Sequence, residues 1–315
     1  MKIVLQTILI IFLLSVSFAG DTDELQRLFL IASTPDHRLS EKREKAIAEL
    51  SNKEYSSVNF LIDQLDRKEP YRREVIEQVI LRIGHKAIKP LLSTLTSDNL
   101  DHAAFAAYLL GKLRAEKAII PLMMAMQNSN RNLRAEAVRA LGEIGDTTAF
   151  EPIVKALDDS IAPVRRNAAI ALGKIGSPEA NLYLLKAVSD SDFNVSLAAT
   201  RAIAEIGDTT IADTLLEMIP KAETETMLKL LEILGELHTG SSLTALLSYT
   251  EHSDHLIRAY AYRALSKYRG DYRVVNAMKR GLGDNAPFVR MMSAKALREI
   301  RTLIEIRKET VEDKL

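Results

Sequence analysis

Apolar residues recur along the middle of the chain with the period of an α-helix. In Pro163–Gly176, the residues Val164, Ala168, Ala171, Leu172 and Ile175 fall at i, i+4, i+7, i+8 and i+11, which is one helical face. Pro163 suits a first helical turn, where a missing N–H costs least. Gly176 follows the last apolar position and suits a left-handed residue that stops the helix. A second, shorter face precedes it: Ile153, Ala156 and Leu157 follow Gly145-Asp146-Thr147-Thr148, with Thr148 and Glu151 spaced as a capping box. The pattern predicts a pair of helices joined by a tight turn.

The pair repeats. Leu172-Gly173-Lys174-Ile175-Gly176 is echoed 31 residues earlier by Leu141–Gly145 and 31 residues later by Ile203–Gly207. Looser copies begin at Ile80, Leu110, Leu234, Leu265 and Leu297, and Ile47-Ala48-Glu49-Leu50-Ser51 has the character of a degenerate first copy. Upstream, Asp21–Ser33, Leu39–Leu50 and Tyr55–Leu65 have amphipathic helical patterns, the first two separated by Thr34-Pro35-Asp36. A strict period sustained over most of a chain signals stacked units that bury a continuous core. One column supports close stacking: Ala106, Ala137, Ala168, Ala199, Ala261 and Ser293 all stand four residues before their copies' five-residue stretches. The expected fold is all-α, a solenoid of stacked two-helix repeats in about eight to nine copies. The expected divisions are a leader over 1–19, N-terminal capping helices and a degenerate repeat over 20–69, the array over 70–300, and a C-terminal capping helix or tail over 301–315.

These residues resemble a known family. Val164-Arg165, Ala168-Ala169, Ala171-Leu172-Gly173 and Ile175-Gly176, with Gly145-Asp146, Ala149, Pro152-Ile153, Ala156-Leu157 and Asp159, are similar to HEAT repeats of the short PBS-lyase HEAT-like type. The resemblance covers about residues 70–300. It implies a right-handed superhelix whose first helices form the convex side and whose second helices line a concave, partner-binding surface. It specifies fold far more closely than function. Hydroxylases with a similar scaffold hold a di-iron centre on His-Glu pairs. Here His37, His85, His102, His238, His252 and His255 precede Arg, Lys, Ala, Thr, Ser and Leu, so that chemistry lacks its ligands. Bilin lyases share the repeat, but the repeat alone does not carry their activity.

Composition narrows the classes further. The chain is 47% hydrophobic and only 5% aromatic, which suits helix packing by Leu, Ile, Val and Ala. Lys and Arg number 42, as do Asp and Glu, and no long basic run stands out, so a nucleic-acid partner is not expected. There is no cysteine, which removes disulfides, thiolate metal sites and cysteine nucleophiles. Lys2, the apolar run Ile3–Val16 and the small residues of Ser17-Phe18-Ala19 form a secretory leader pattern, with cleavage expected before Gly20. An uncleaved anchor is the alternative. The run is short for a membrane span, and no stable span is expected after cleavage. The expectation is an exported protein, periplasmic or extracellular.

Candidate functional residues lie where the copies differ. Arg73, Arg134, Arg165, Arg258 and Arg290 share a column, seven residues before the five-residue stretches. They form either a track for an acidic partner or, as favoured by the neutral charge, a structural ladder to turn acids such as Asp158 or Asp159. On the second helices, the column three residues after Pro152 reads Ser93, Met124, Lys155, Lys186, Glu217, Ser248 and Lys279. The column one before it reads Lys89, Ile120, Glu151, Leu182, Asp213, Thr244 and Val275. If these columns face the groove, Ile120 and Met124 make its N-terminal third apolar, while Asp213 and Glu217 make a later segment acidic. The alternative is that Met123, Met124 and Met126 fill the core. Ile120, Met124, Lys155, Lys186, Asp213 and Glu217 are the expected contacts to a protein or peptide partner.

The seventh copy departs most: Met227 replaces Arg, Leu230 replaces the small residue and His238 replaces Gly. In Glu251-His252-Ser253-Asp254-His255, His252 and His255 are candidate metal ligands, but a third ligand is not in sight and the stretch fits a turn. No metal or cofactor is assigned. Gly-rich phosphate loops, Gly-x-Ser-x-Gly and His-Glu-x-x-His motifs do not occur. The expected function is a non-catalytic protein-binding scaffold. The alternative is a lyase-like or hydroxylase-like enzyme, or an enzyme-associated protein, holding a cofactor or small ligand on the same face.

Overall fold

The computed structural model describes residues 21–65 and 69–312, and their regular structure is helical throughout. The leader pattern lies outside the described residues. Three helices come first: α1 (Asp21–Ala32), α2 (Ser40–Asn52) and α3 (Tyr55–Asp63). Seven hairpins follow, each a longer helix and then a shorter one. They are α4 (Pro70–Ile83) with α5 (Ile88–Leu95), α6 (Leu100–Lys112) with α7 (Ile119–Ala125), and α8 (Arg131–Ile144) with α9 (Phe150–Ala156). Next come α10 (Ala162–Ile175) with α11 (Ala180–Ala187), and α12 (Phe193–Ile206) with α13 (Ala212–Met218). The last two are α14 (Thr224–Leu237) with α15 (Gly240–Tyr249), and α16 (His255–Leu265) with α17 (Tyr272–Gly281). Helix α18 (Pro287–Glu312) ends the described chain, so residues 301–312 continue the final first helix.

The chain forms two compact units, one up to Ala156 and one from Leu157, a division inside the repeat array. In the first, α2 packs on α4 and α3 on α5, with α1 laid against α2. In each unit successive first helices pack side by side, α6 on α8 in one, α10 on α12 and α14 on α16 in the other.

Local chemistry sets the helix ends. Side chains of Asn99, Asn130, Asp192 and Asp254 accept backbone N–H groups at the starts of α6, α8, α12 and α16. The expected capping box at Thr148 and Glu151 is not what starts the shorter helix. Asp146 Oδ1 accepts both the Thr148 N–H, at 2.8 Å, and its hydroxyl, at 2.6 Å, opening a 3₁₀ turn over Thr147–Ala149 that leads into α9. The carboxylate wins because it sits two residues ahead of Thr148 and satisfies donors that Thr148 would otherwise present to water. Asp208 repeats this arrangement on Thr210. Gly145, Gly176 and Gly207 end their helices at φ of 77°, 72° and 64°, as expected. Arg114 and His238 hold the same left-handed region, at 47° and 55°, without glycine's freedom.

The alanine column is fully buried, Ala168 and its equivalents included. Successive first helices, however, approach most closely at the second residue of the five-residue stretch. A Cβ on Gly111 would stand 2.6 Å from Ala140 Cα, one on Gly173 2.9 Å from Ala202 Cβ, and one on Gly235 2.9 Å from Ala264 Cβ. These glycines let one helix backbone rest on the alanine of the next.

Two substitutions test this packing in urea melts. Gly173→Ala should lose about 1–3 kcal/mol through overpacking, although alanine is the better helix former. Gly176→Val should lose about 1–2 kcal/mol because a β-branched residue is strained at its left-handed φ. Unchanged midpoints would contradict both assignments.

Candidate functional site

Each second helix buries one side and presents the other to solvent. Leu91, Leu122, Ile153, Leu184, Leu215 and Leu246 occupy one column, each with 0% exposure. Residues two positions before and after such an anchor lie across the axis of a 3.6-residue helix. Those positions are the two columns singled out in the sequence. Apart from the half-buried Val275, every member of both columns is exposed.

In the first unit the exposed face of α7 carries Ile120, 62% exposed, and Met124, 71% exposed, one turn apart. Met124 therefore does not fill the core, whereas Met126 is buried. Lys89 and Ser93 hold the equivalent positions on α5, and Glu151 and Lys155 those on α9. In the second unit, α11 shows Leu182, 70% exposed, beside Lys186. Lys186 also reaches Asp158 at 3.2 Å, an exposed and therefore weak pair. Asp213 and Glu217 come together one turn apart on α13, followed by Thr244 and Ser248 on α15. Beside Glu217 lies a cavity of about 590 Å³, also lined by Ser189, Met218, Lys221 and Thr226.

The arginine column is a ladder rather than a track. Arg165 donates Nε and Nη2 to the Asp190 carboxylate at 2.7 and 2.8 Å, and Nη1 to the Asp159 carbonyl at 2.9 Å. Arg258 makes the same fork to Asp284, at 2.9 and 2.9 Å, and bonds the carbonyls of His252 and Ser253. Arg134 bonds the carbonyls of Asn128 and Ser129, and Arg290 those of Asp284 and Asn285. Arg73 instead lies over the Phe105 ring, 4.7 Å from its centroid. The carboxylate partner is not the one expected from the sequence. Asp159 offers Arg165 its carbonyl, and the carboxylate comes from the turn that closes the arginine's own hairpin. The guanidinium so ties consecutive turns together. Its hydrogen bonds hold the Asp190 and Asp284 carboxyls below the usual range, against the opposing effect of partial burial.

The histidines of the seventh copy serve the turn. His252 Nδ1 accepts the Asp254 N–H at 3.0 Å, the role that Asp190 and Asp284 play for Asp192 and Ala286. His255 Nδ1 lies 3.9 Å from Asp254 Oδ1. Among the described residues no three His, Asp or Glu side chains gather as a metal site, and no helix is long and apolar enough to cross a membrane.

Comparison with known proteins agrees with this architecture. HEAT repeats match residues 124–181 and 150–229. No curated protein matches the chain. Among solved structures, the Kap95:Nup1 complex is similar with a TM-score of 0.60 at 12% identity, over 93% of this chain and 46% of that one. YibA of E. coli is similar with a TM-score of 0.52 at 16% identity, over 91% and 99% of the two chains. The CpcE and CpcF complex of phycocyanin lyase from Nostoc sp. PCC7120 gives a TM-score of 0.42 at 18% identity, over 68% and 94%. For the first two, at such identities, the likeness is one of fold.

The ladder predicts a pH dependence. The lowered Asp190 carboxyl contributes stability that is fully present above its unfolded value of about 3.9. That stability is lost as pH falls through the lower folded value. Asp190→Asn should therefore flatten the acid arm of a plot of urea midpoint against pH. An acid arm as steep as that of wild type would contradict the assignment.

Proposed function

We propose that this HEAT-repeat protein is a non-catalytic scaffold that is exported and binds a protein partner through the exposed faces of its second helices. The observation that carries the reading is the pair Ile120 and Met124. Both are large, apolar and well over half exposed on a helix whose opposite side is anchored by the fully buried Leu122. An apolar pair held rigidly at a surface is suited to partner contact, and a thioether chain adapts to the shape it meets. Stacked repeats present such positions at regular spacing, so recognition is set by the side chains that vary between copies. On this reading Lys155 supplies a neighbouring charge in the first unit. Lys186, Asp213 and Glu217 form the charged contacts of the second. Export is supported by Lys2, the apolar run Ile3–Val16 and the small residues before Gly20.

Two measurements test this. In affinity capture from a cell-envelope extract, Ile120→Asp with Met124→Asp should cut recovery of the principal partner by about tenfold or more, with an unchanged far-ultraviolet spectrum. Equal recovery of every partner would overturn the apolar contact. N-terminal sequencing of the exported chain should begin at Gly20, and a chain that still begins at Met1 would overturn the cleavage.

A further inference from the structure

The joints between successive first helices of the second unit are not alike. Between α10 and α12, Gly173 meets Ala202, and Arg165 ties the turn at Asp159 to the turn at Asp190. Between α14 and α16, Gly235 meets Ala264, Arg263 reaches Glu232 at 2.6 Å, and Lys267 reaches Glu236 at 2.8 Å. The Tyr268 hydroxyl also crosses that joint to the Leu234 carbonyl at 3.0 Å.

Between α12 and α14 each device is replaced. Ala204 stands in the glycine column and Ile233 in the alanine column, so the two backbones meet through side chains. Ser196 and Lys221 stand where Arg165 and Asp190 pair one copy earlier. The Ser196 hydroxyl turns inward to the Val188 carbonyl. Met227 and His252 replace the pair again in the following copy, leaving two consecutive rungs without a guanidinium. Thr226 occupies the column of the buried Val164, Val195 and Ile257. Ser189 Oγ and Thr226 Oγ1 face each other across this joint at 3.5 Å, the outer limit of a hydrogen bond, and both line the 590 Å³ cavity.

We propose that the joint between α12 and α14 is a hinge at which the second unit bends. Lost close packing, lost charge ties and a cavity coincide there, whereas the joints on either side keep glycine contacts and ion pairs. Bending at this point changes the spacing between the acidic face of α13 and the Thr244–Ser248 face of α15. The hinge stands independently of whether those faces bind a partner.

The absence of cysteine in the chain allows paired spin labels without background. Asp213→Cys with Thr244→Cys places labels on exposed positions across the joint, and Leu182→Cys with Asp213→Cys spans the neighbouring α10–α12 joint as a control. The distance distribution measured by pulsed electron resonance should be about twice as wide across the hinge as across the control. Ser196→Arg with Lys221→Asp, built into the first pair, should narrow it towards the control width. Equal widths in the two labelled chains without the added rung would overturn the proposal. So would an undiminished width in a restored variant whose helical spectrum is intact. If the buried arginine unfolds the chain, the comparison of the two unrestored chains decides.

Discussion

The structure depends on how closely one first helix can lie against the next. Where Gly111, Gly173 and Gly235 face Ala140, Ala202 and Ala264, nothing larger than the alanine methyl group lies between the backbones, and a single added methyl group would collide. Close approach puts many atoms in contact at once, and dispersion summed over those contacts outweighs the intrinsic cost of glycine within a helix. The fully buried alanines from Ala106 to Ala261 extend the same narrow seam. Everything else follows from the stack: the short second helices need only one apolar face, and their other face is left free to vary.

That freedom separates architecture from recognition. Leu122 and its equivalents are uniform because each meets the same kind of neighbour. The positions across the axis run from Lys89 through Ile120 and Glu151 to Asp213 because they meet solvent. Charge is handled in the same spirit. Arginines that could have formed a basic track are instead bonded to turn carbonyls and, at Arg165 and Arg258, to the carboxylates of Asp190 and Asp284. The joint at Ser196, Ala204, Lys221 and Thr226 departs from the packing rule and the charge rule together, which sets it apart from the single substitutions elsewhere.

Much of this was legible in the residues. The helical period, the left-handed glycines, the buried alanine column and the exposed second-helix columns all follow from spacing along one helix. Other features were not. Asp190 lies 25 residues from Arg165, and only the folded hairpin brings its carboxylate past the nearer Asp159. Gly173 sits in the same motif as Gly176, yet its reason is the neighbouring helix rather than its own backbone angle, which the motif by itself does not reveal. The capping box at Thr148 failed because Asp146, two residues earlier, takes the Thr148 N–H that Glu151 would have accepted and turns the Thr148 hydroxyl towards itself.

Residue spacing alone sets the repeat, its two helices, the glycine stops of the first helices and which side of each helix is apolar. Those are set by hydrogen bonds and side-chain directions within a few residues, so a local pattern suffices. Tertiary structure decided which turn supplies the partner of each arginine, which joints close on glycine and which is left open over a cavity, and that Met124 faces water while Met126 does not. These depend on distances between copies, and a difference of one methyl group or one guanidinium reach is enough to change them.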